Sequence, residues 1–200
     1  MKIQKIRKRN FSSFNLKEAY KELKIKKLTI WESGFQPKKL SDFFHEKMRR
    51  LRVFDLKGTE TAKTLVIDAF LEEALQSFTN LKAWKEPILE SETLNGVADY
   101  LLTEDRDYLD FPFLCAVEAK KDDFEQGLAQ CLVEMKACKE ANFSEGKDID
   151  IYGIVTNGET WHFYKYAEDK VYFNQVFVSD YPEDLLGMLN YVFTECEKNI

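Results

Sequence analysis

The sequence feature that most constrains the fold is a pair of apolar runs separated by a segment of helical length. Residues 113–120 read Phe-Leu-Cys-Ala-Val-Glu-Ala-Lys, and residues 149–156 read Ile-Asp-Ile-Tyr-Gly-Ile-Val-Thr. Both runs are typical of buried strands, and residues 123–141 between them predict a helix. This strand–helix–strand order favours a mixed sheet that carries helices on both faces.

The segments around this unit predict further strands and helices. Apolar residues three and four positions apart predict a helix over residues 60–78, and a closing helix is expected over 184–195. The further predicted strands are residues 84–90, 96–102, 160–166 and 171–178. Asn95-Gly96 and Asn157-Gly158 are both typical of hairpin turns. From residue 60 the predicted order is α-β-β-β-α-β-β-β-α, which belongs to the α/β (α+β) class.

Charge divides the chain into two unequal parts. The formal net charge is −6, but residues 1–50 hold 15 Lys and Arg against 5 Asp and Glu, whereas residues 51–200 hold 14 against 30. We therefore predict a basic N-terminal extension over residues 1–58, with a short strand near 23–30 and a helix over 41–51, followed by one domain over 59–200. The extension either binds DNA phosphates or forms a solvated tail.

Cysteine usage and hydropathy favour a soluble cytoplasmic protein with no membrane partner. The four cysteines form no Cys-x-x-Cys pair, and three of them lie in apolar runs, as free thiols do in a reducing compartment. No stretch approaches the roughly 20 apolar residues of a membrane span. The N-terminal residues also lack the apolar region of a secretory signal.

Three charged residues at predicted strand ends form the candidate site. Asp99 lies inside the strand predicted over 96–102, while Glu118 and Lys120 end the strand that follows. Residues two apart in a strand point to the same side, so Glu118 and Lys120 share a face. If the two strands are neighbours, Asp99 lies near Glu118, and two adjacent carboxylates repel unless a cation or a proton joins them. We expect Mg²⁺, which one or two carboxylates can hold.

The position of this Glu-x-Lys pair distinguishes it from other copies of the same pattern. Glu-x-Lys occurs five times in the chain, at residues 22–24, 118–120, 134–136, 145–147 and 168–170. Only the copy at 118–120 ends an apolar strand, follows a predicted hairpin with an internal aspartate and precedes a helix. These residue types suit phosphodiester hydrolysis, because the metal and the lysine both offset charge on phosphoryl oxygens.

These motifs resemble the PD-(D/E)xK nuclease superfamily, which includes restriction endonucleases and the N-terminal nuclease domains of type I restriction motor subunits. The resemblance covers residues 60–166, and its most specific parts are Gly96-Val-Ala-Asp-Tyr and Cys115-Ala-Val-Glu-Ala-Lys. It implies a restriction-endonuclease-like mixed sheet of order α-β-β-β-α-β, flanked by helices, with added C-terminal strands and a helix. Asp99 and Glu118 would hold Mg²⁺, with Mn²⁺ able to substitute, and Lys120 would act at the nucleophilic water.

The resemblance also implies a glutamine on the second helix and a glutamate on the first. Gln130, in Leu128-Ala-Gln-Cys131, matches the glutamine better than Gln126 does. For the glutamate we rank Glu73 ahead of Glu60 and Glu72. Ala98 stands where the family's proline precedes the aspartate.

The expected function is therefore a Mg²⁺-dependent deoxyribonuclease of restriction or DNA-processing type, with DNA as its partner. A catalytically inactive module that keeps the nuclease fold and binds nucleic acid or protein is the alternative, and RNA remains open as a substrate. The resemblance also leaves room for a homodimer or for a partner subunit of a restriction system.

Overall fold

The computed structural model describes residues 8–56, 58–120 and 122–200. Helices in these ranges are α1 (Leu16–Glu22), α2 (Asp42–Leu51), α3 (Glu60–Leu75), α4 (Phe124–Ser144) and α5 (Pro182–Glu197), and a 3-10 helix spans Phe11–Ser13. Strands are β1 (Arg9–Asn10), β2 (Thr29–Ile30), β3 (Leu81–Lys85), β4 (Ile88–Glu90), β5 (Leu94–Val97), β6 (Tyr100–Glu104), β7 (Phe113–Ala119), β8 (Ile151–Thr156), β9 (Thr160–Ala167), β10 (Lys170–Phe173) and β11 (Phe177–Val178).

The larger of two sheets is mixed, as the sequence predicts. Its strands follow the order β2-β10-β9-β8-β7-β6-β3, and β11 pairs with β9. β7 and β8 run parallel and are joined through α4, whereas β6 and β7 are antiparallel. A parallel pair needs a long crossover, which explains why a helix separates the two apolar runs. The α+β class is confirmed at this level.

Helices cover both faces of the larger sheet, and each face has its own apolar core. On one face, α3 and α5 bury Phe70 and Phe193 against strand residues such as Trp161. On the opposite face, α1 and α4 bury residues such as Leu132 against Val155. The alternation of side chains along each strand supplies both cores, because successive residues point to opposite faces.

Two predicted strands each divide between two sheets. The strand predicted over 84–90 ends at Lys85 and resumes as β4, and the strand predicted over 96–102 divides into β5 and β6. Glu86 has a φ of 53°, and it precedes Pro87, which cannot donate to a strand ladder. Hydrogen bonds from Glu86 N–H to the Asp99 carbonyl (2.9 Å) and from Ala98 N–H to the Pro87 carbonyl (3.2 Å) hold the two chains together at the break. The second sheet has the order β1-β5-β4.

One of the two predicted Asn-Gly turns forms and the other does not. Asn157-Gly158 connects antiparallel β8 and β9, and Gly158 has a φ of 83° that suits glycine. Asn95 and Gly96 instead lie inside β5, and the β4–β5 turn falls on residues 91–93. Gly96 packs beneath Phe11, since a Cβ at this position would lie 2.4 Å from the aromatic ring. Close backbone approach, rather than a turn, therefore accounts for this glycine.

The described residues before Gly58 pack against both sheets. β1 pairs with β5, β2 pairs with β10, and Phe11 and Phe14 are buried in the core beside α4. The helix predicted over 41–51 is confirmed as α2, while the strand predicted near 23–30 is limited to β2. α1 begins with a capping box between Asn15 and Glu18.

Two further features concern the cysteines and the lengths of the helices. All four cysteines are free and buried. Within residues 8–56, 58–120 and 122–200, none of the helices has both the length and the apolarity needed to cross a membrane.

Candidate functional site

The candidate site begins with two carboxylates on neighbouring strands. In the β6–β7 ladder Tyr100 pairs with Val117, so Asp99, one residue before β6, lies beside Glu118. An Asp99 carboxylate oxygen accepts the N–H of Ala119 at 2.7 Å. The adjacency expected from the sequence is confirmed, and it rests on the backbone register rather than on side-chain flexibility.

Lys120 lies on the same side as Glu118, as strand alternation predicts. Its Nζ is 2.6 Å from a carboxylate oxygen of Glu118. Its N–H donates to the Thr156 carbonyl at 2.8 Å, which continues the contact with β8 beyond the end of β7. Its side-chain stem passes over Gly127 of α4, where a Cβ would lie 2.8 Å from the Lys120 Cγ. Strand β7, the ion pair with Glu118 and the space left by Gly127 together position the Lys120 ammonium group.

The electrostatic surroundings of Glu118 are unusual for a glutamate. The residue is 1% exposed. Burial and then the nearby charge of Asp99 raise the pKa of the Glu118 carboxyl to about 7, although the Lys120 ion pair opposes this shift. Both raising effects penalise the charged form. The site therefore holds acidic groups whose ionisation is disfavoured unless a cation or a proton compensates it.

A third carboxyl group, which the sequence analysis does not single out, lies beside Glu118. Glu134 of α4 is fully buried, and neither of its carboxyl oxygens receives a hydrogen bond from the described residues. It lies close enough to Glu118 for a proton on one carboxyl to be donated to the other, and burial raises the pKa of Glu134 well above its usual range. The available signal was a glutamate between the apolar residues Val133 and Met135, inside a predicted helix.

The two glutamines of α4 have different surroundings. Gln126 donates from its Nε2 to the Phe14 carbonyl at 3.1 Å, which ties it to the N-terminal segment. Gln130 is half-buried and lies four residues before Glu134, so the two residues share one side of the helix.

No described contact connects the three glutamates of α3 that the sequence suggests to Asp99, Glu118 or Lys120. Glu73 accepts the backbone N–H and the hydroxyl of Ser41 at 2.6 and 2.8 Å, and so holds the first turn of α2. Glu72 forms an ion pair with Lys47 at the surface. Glu60 is the first residue of α3, and its side chain lies outside the described part of the structure.

An open cleft of about 250 Å³ lies beside Asp99. Its walls come from the start of α3, from the strand break and from the end of β7, and include Thr61, Thr64, Lys85, Tyr100 and Ala119. The Tyr100 hydroxyl donates to Asp68 at 2.8 Å, and Lys85 forms an ion pair with the same carboxylate at 2.8 Å. The cleft gives a ligand access to Asp99 from the α3 side of the sheet.

The donor atoms fit a hard divalent cation. Asp99 and Glu118 offer carboxylate oxygens, and Mg²⁺ is usually bound through one or two carboxylates with the remaining positions filled by water or phosphate. Across the described ranges, no cluster of three or more His, Cys, Asp or Glu side chains is arranged as a metal site. The fit is therefore to a cation that keeps most of its water, rather than to an enclosed structural metal.

Comparison with known proteins adds one partial match. No family model matches the chain. A protein described as Crinkler effector protein 5, from Phytophthora infestans, is 41% identical over 58 residues. The match covers 29% of this chain, and it covers only 16% of that relative's length.

Proposed function

We propose that this protein is a Mg²⁺-dependent nuclease that hydrolyses phosphodiester bonds in DNA, of restriction or DNA-processing type. The observation that carries the proposal is the juxtaposition of Asp99, Glu118 and Lys120, with the lysine 2.6 Å from the glutamate. With β4 and β5 of the second sheet left out, the elements from α3 follow along the chain as α3-β3-β6-β7-α4-β8. This α-β-β-β-α-β order supports a restriction-endonuclease-like core.

In this proposal each residue has a defined task. Asp99 and Glu118 hold Mg²⁺, or Mn²⁺ in its place, at the end of the β6–β7 pair. The metal supplies Lewis-acid stabilisation of charge on the phosphoryl oxygens. Lys120 orients the attacking water and offsets the developing charge with its ammonium group. Gln130 borders the site from α4.

The roles of the glutamates differ from those that the resemblance suggests. We assign Glu73 to holding α2, since both of its described hydrogen bonds go to Ser41. We propose that the carboxyl group behind the site belongs to Glu134 of α4, rather than to a glutamate of α3. Because no described group donates a hydrogen bond to Glu134, its carboxyl can share a proton with Glu118.

A second candidate function is a nuclease-fold module that binds nucleic acid or protein without turnover. The observation that favours it is the burial of Glu118, which is 1% exposed and already ion-paired with Lys120. A cation must compete with this ion pair for the carboxylate. In an active nuclease Lys120 would leave Glu118 free to hold the metal and would turn to the attacking water, whereas in an inactive module the Lys120–Glu118 pair would persist.

Cleavage assays with matched variants test the proposal. Purified protein is incubated with linear and circular DNA, and separately with RNA, in Mg²⁺, in Mn²⁺ and in chelator. Glu118→Ala and Lys120→Ala should abolish metal-dependent DNA cleavage without unfolding the protein. Glu145→Ala and Lys147→Ala, which alter another Glu-x-Lys pair, should cleave like the wild type.

Each outcome of these assays bears on one of the candidates. Sustained cleavage by both site variants would overturn the assignment of the site. DNA binding by the wild type without cleavage in either metal would instead favour the inactive module. Cleavage of RNA alone would keep the site and change the substrate.

A further inference from the structure

The lysines around the cleft are already matched by carboxylates. Each of the three lies within ion-pair distance of an acidic side chain. The pairs are Lys85–Asp68 at 2.8 Å, Lys120–Glu118 at 2.6 Å and Lys63–Asp122 at 3.8 Å. With Asp99 added, the described side chains of this region have no excess of positive charge. A polyanionic substrate therefore needs cations from a neighbouring surface, because phosphate contacts supply most of the affinity for nucleic acid.

A short link joins the end of α2, which packs on α3, to the start of α3 beside the cleft. Ser41, before the first residue of α2, is bound to Glu73 near the end of α3. Further along α2, the Phe44 ring lies 4.9 Å from the Phe70 ring, centroid to centroid. Lys47, one turn beyond Phe44, forms an ion pair with Glu72. The eight residues 52–59 then join the end of α2 to the first residue of α3. The start of α3 includes Thr61, a residue of the cleft wall.

The end of α2 has an excess of exposed arginine. The side chains of Arg49 and Arg50 are 66% and 75% exposed, and Arg52 immediately after the helix is also exposed. Glu46 pairs with both Arg49 and Arg50 at 2.7 Å. Exposed pairs of this kind contribute little and exchange readily, so a phosphate can replace the carboxylate. Arginine suits this exchange because its planar group binds phosphate through two hydrogen bonds.

We propose that Arg49, Arg50 and Arg52 bind the sugar-phosphate backbone of the nucleic-acid substrate beside the cleft. The inference rests on the proposed nuclease function, for which it supplies a substrate-binding surface. Val53 and Phe54 follow these arginines and are 81% and 56% exposed. An exposed aromatic ring beside a basic surface can stack on an unpaired base. In this proposal the acidic residues hold the metal and the arginines bind the phosphates.

The test compares two triple variants with the same change in charge. Arg49→Gln/Arg50→Gln/Arg52→Gln removes the proposed contacts, and Lys24→Gln/Lys26→Gln/Lys27→Gln removes three exposed lysines near the far half of α4. Binding of the full chain to a labelled DNA duplex is measured in chelator at several salt concentrations. The arginine variant should bind at least about ten-fold more weakly at ~0.1 M salt, with a salt slope smaller by about 2 to 3. The lysine variant should change the affinity by less than about two-fold.

Glutamine preserves helix propensity, and circular dichroism with thermal unfolding checks that α2 remains folded. Unchanged affinity and salt slope in the arginine variant, equal losses in both variants, or no DNA binding by the wild type would overturn the inference. A change of oligomeric state in the arginine variant, without loss of DNA affinity, would also overturn it and indicate a protein-binding surface. Cleavage in Mg²⁺ or Mn²⁺ is scored separately, so an arginine-dependent binder that does not cleave would refute the nuclease proposal alone.

Discussion

The Asp99 carboxylate accepts the backbone N–H of Ala119 at 2.7 Å, and Ala119 is the residue between Glu118 and Lys120. One hydrogen bond therefore ties the residue before β6 to the segment that holds the other two charged groups. Side chains can change rotamer, but this contact involves the backbone of the neighbouring strand. The spacing of the candidate site is consequently a property of the sheet.

Asp99→Asn and Asp99→Ala should separate the structural and chemical roles of this carboxylate. Asparagine can still accept the Ala119 N–H, and it removes the repulsion with Glu118. The free energy of unfolding of Asp99→Asn should therefore equal or exceed that of the wild type. Alanine leaves the N–H without its acceptor and should cost about 1–2 kcal/mol. Both variants should lose Mg²⁺ binding and cleavage. Denaturant titration and calorimetry with Mg²⁺ measure these effects, and equal destabilisation by both variants would contradict the role of the hydrogen bond.

Gly127→Ala should displace Lys120 without changing any charge. The new Cβ would lie 2.8 Å from both the Lys120 Cγ and a methyl group of Val155, so the lysine stem must move. We expect cleavage to fall at least about ten-fold, while the higher helix propensity of alanine, about 1 kcal/mol, offsets part of the strain. Gly34→Ala, which has no atom within 4 Å of its new Cβ, is the control. Full activity in Gly127→Ala would show that the lysine position is not critical.

Glu73→Ala should change stability rather than activity. The Glu73 side chain is nearly buried and binds Ser41 twice, so its removal should lower the free energy of unfolding by about 1–3 kcal/mol. Glu72→Ala, which removes a surface ion pair with Lys47, should cost less than about 1 kcal/mol. Thermal unfolding and cleavage rates are measured on the same samples. If Glu73→Ala folds but no longer cleaves DNA, Glu73 acts in the active site and the structural assignment is wrong.

Local periodicity accounts for the parts of the fold that the sequence predicts well. The apolar run of β7, the spacing in α3 and the Asn157-Gly158 turn each depend on nearby residues. The division of the strand predicted over 84–90 could not be predicted in this way. It depends on the positive φ of Glu86 and on its hydrogen bond to Asp99, which is distant in the sequence.

The candidate site shows the same contrast. Glu118 and Lys120 share a face because strand geometry dictates it, and Asp99 joins them once β6 and β7 pair. Glu134 is harder to recognise in the sequence, because it belongs to another Glu-x-Lys pair and only its position between Val133 and Met135 distinguishes it. Its burial arises only when α4 packs over β7, a tertiary event that helical periodicity does not specify.

Glu134 should make the stability of the metal-free protein depend on pH. Burial, and then the charge of Glu118, raise the pKa of Glu134 well above 4.5, and the pKa of Glu118 itself is raised to about 7. Asp99 adds to both shifts, and Lys120 opposes them. The folded protein thus keeps protons that the unfolded chain releases above about pH 4.5, so the free energy of unfolding should fall as pH rises from 5 to 8. Glu134→Gln cannot ionise and should flatten this fall.

Denaturant titrations in chelator, at intervals between pH 5 and pH 8, measure this dependence for the wild type and for Glu134→Gln. The two proteins should be similarly stable near pH 5, and the variant should be more stable by about 1–2 kcal/mol near pH 8. Glu145→Gln changes an exposed glutamate and should follow the wild-type curve. Parallel curves for the wild type and Glu134→Gln would show that Glu134 carries the same charge in the folded and unfolded chains, and would refute a protonated carboxyl behind Glu118.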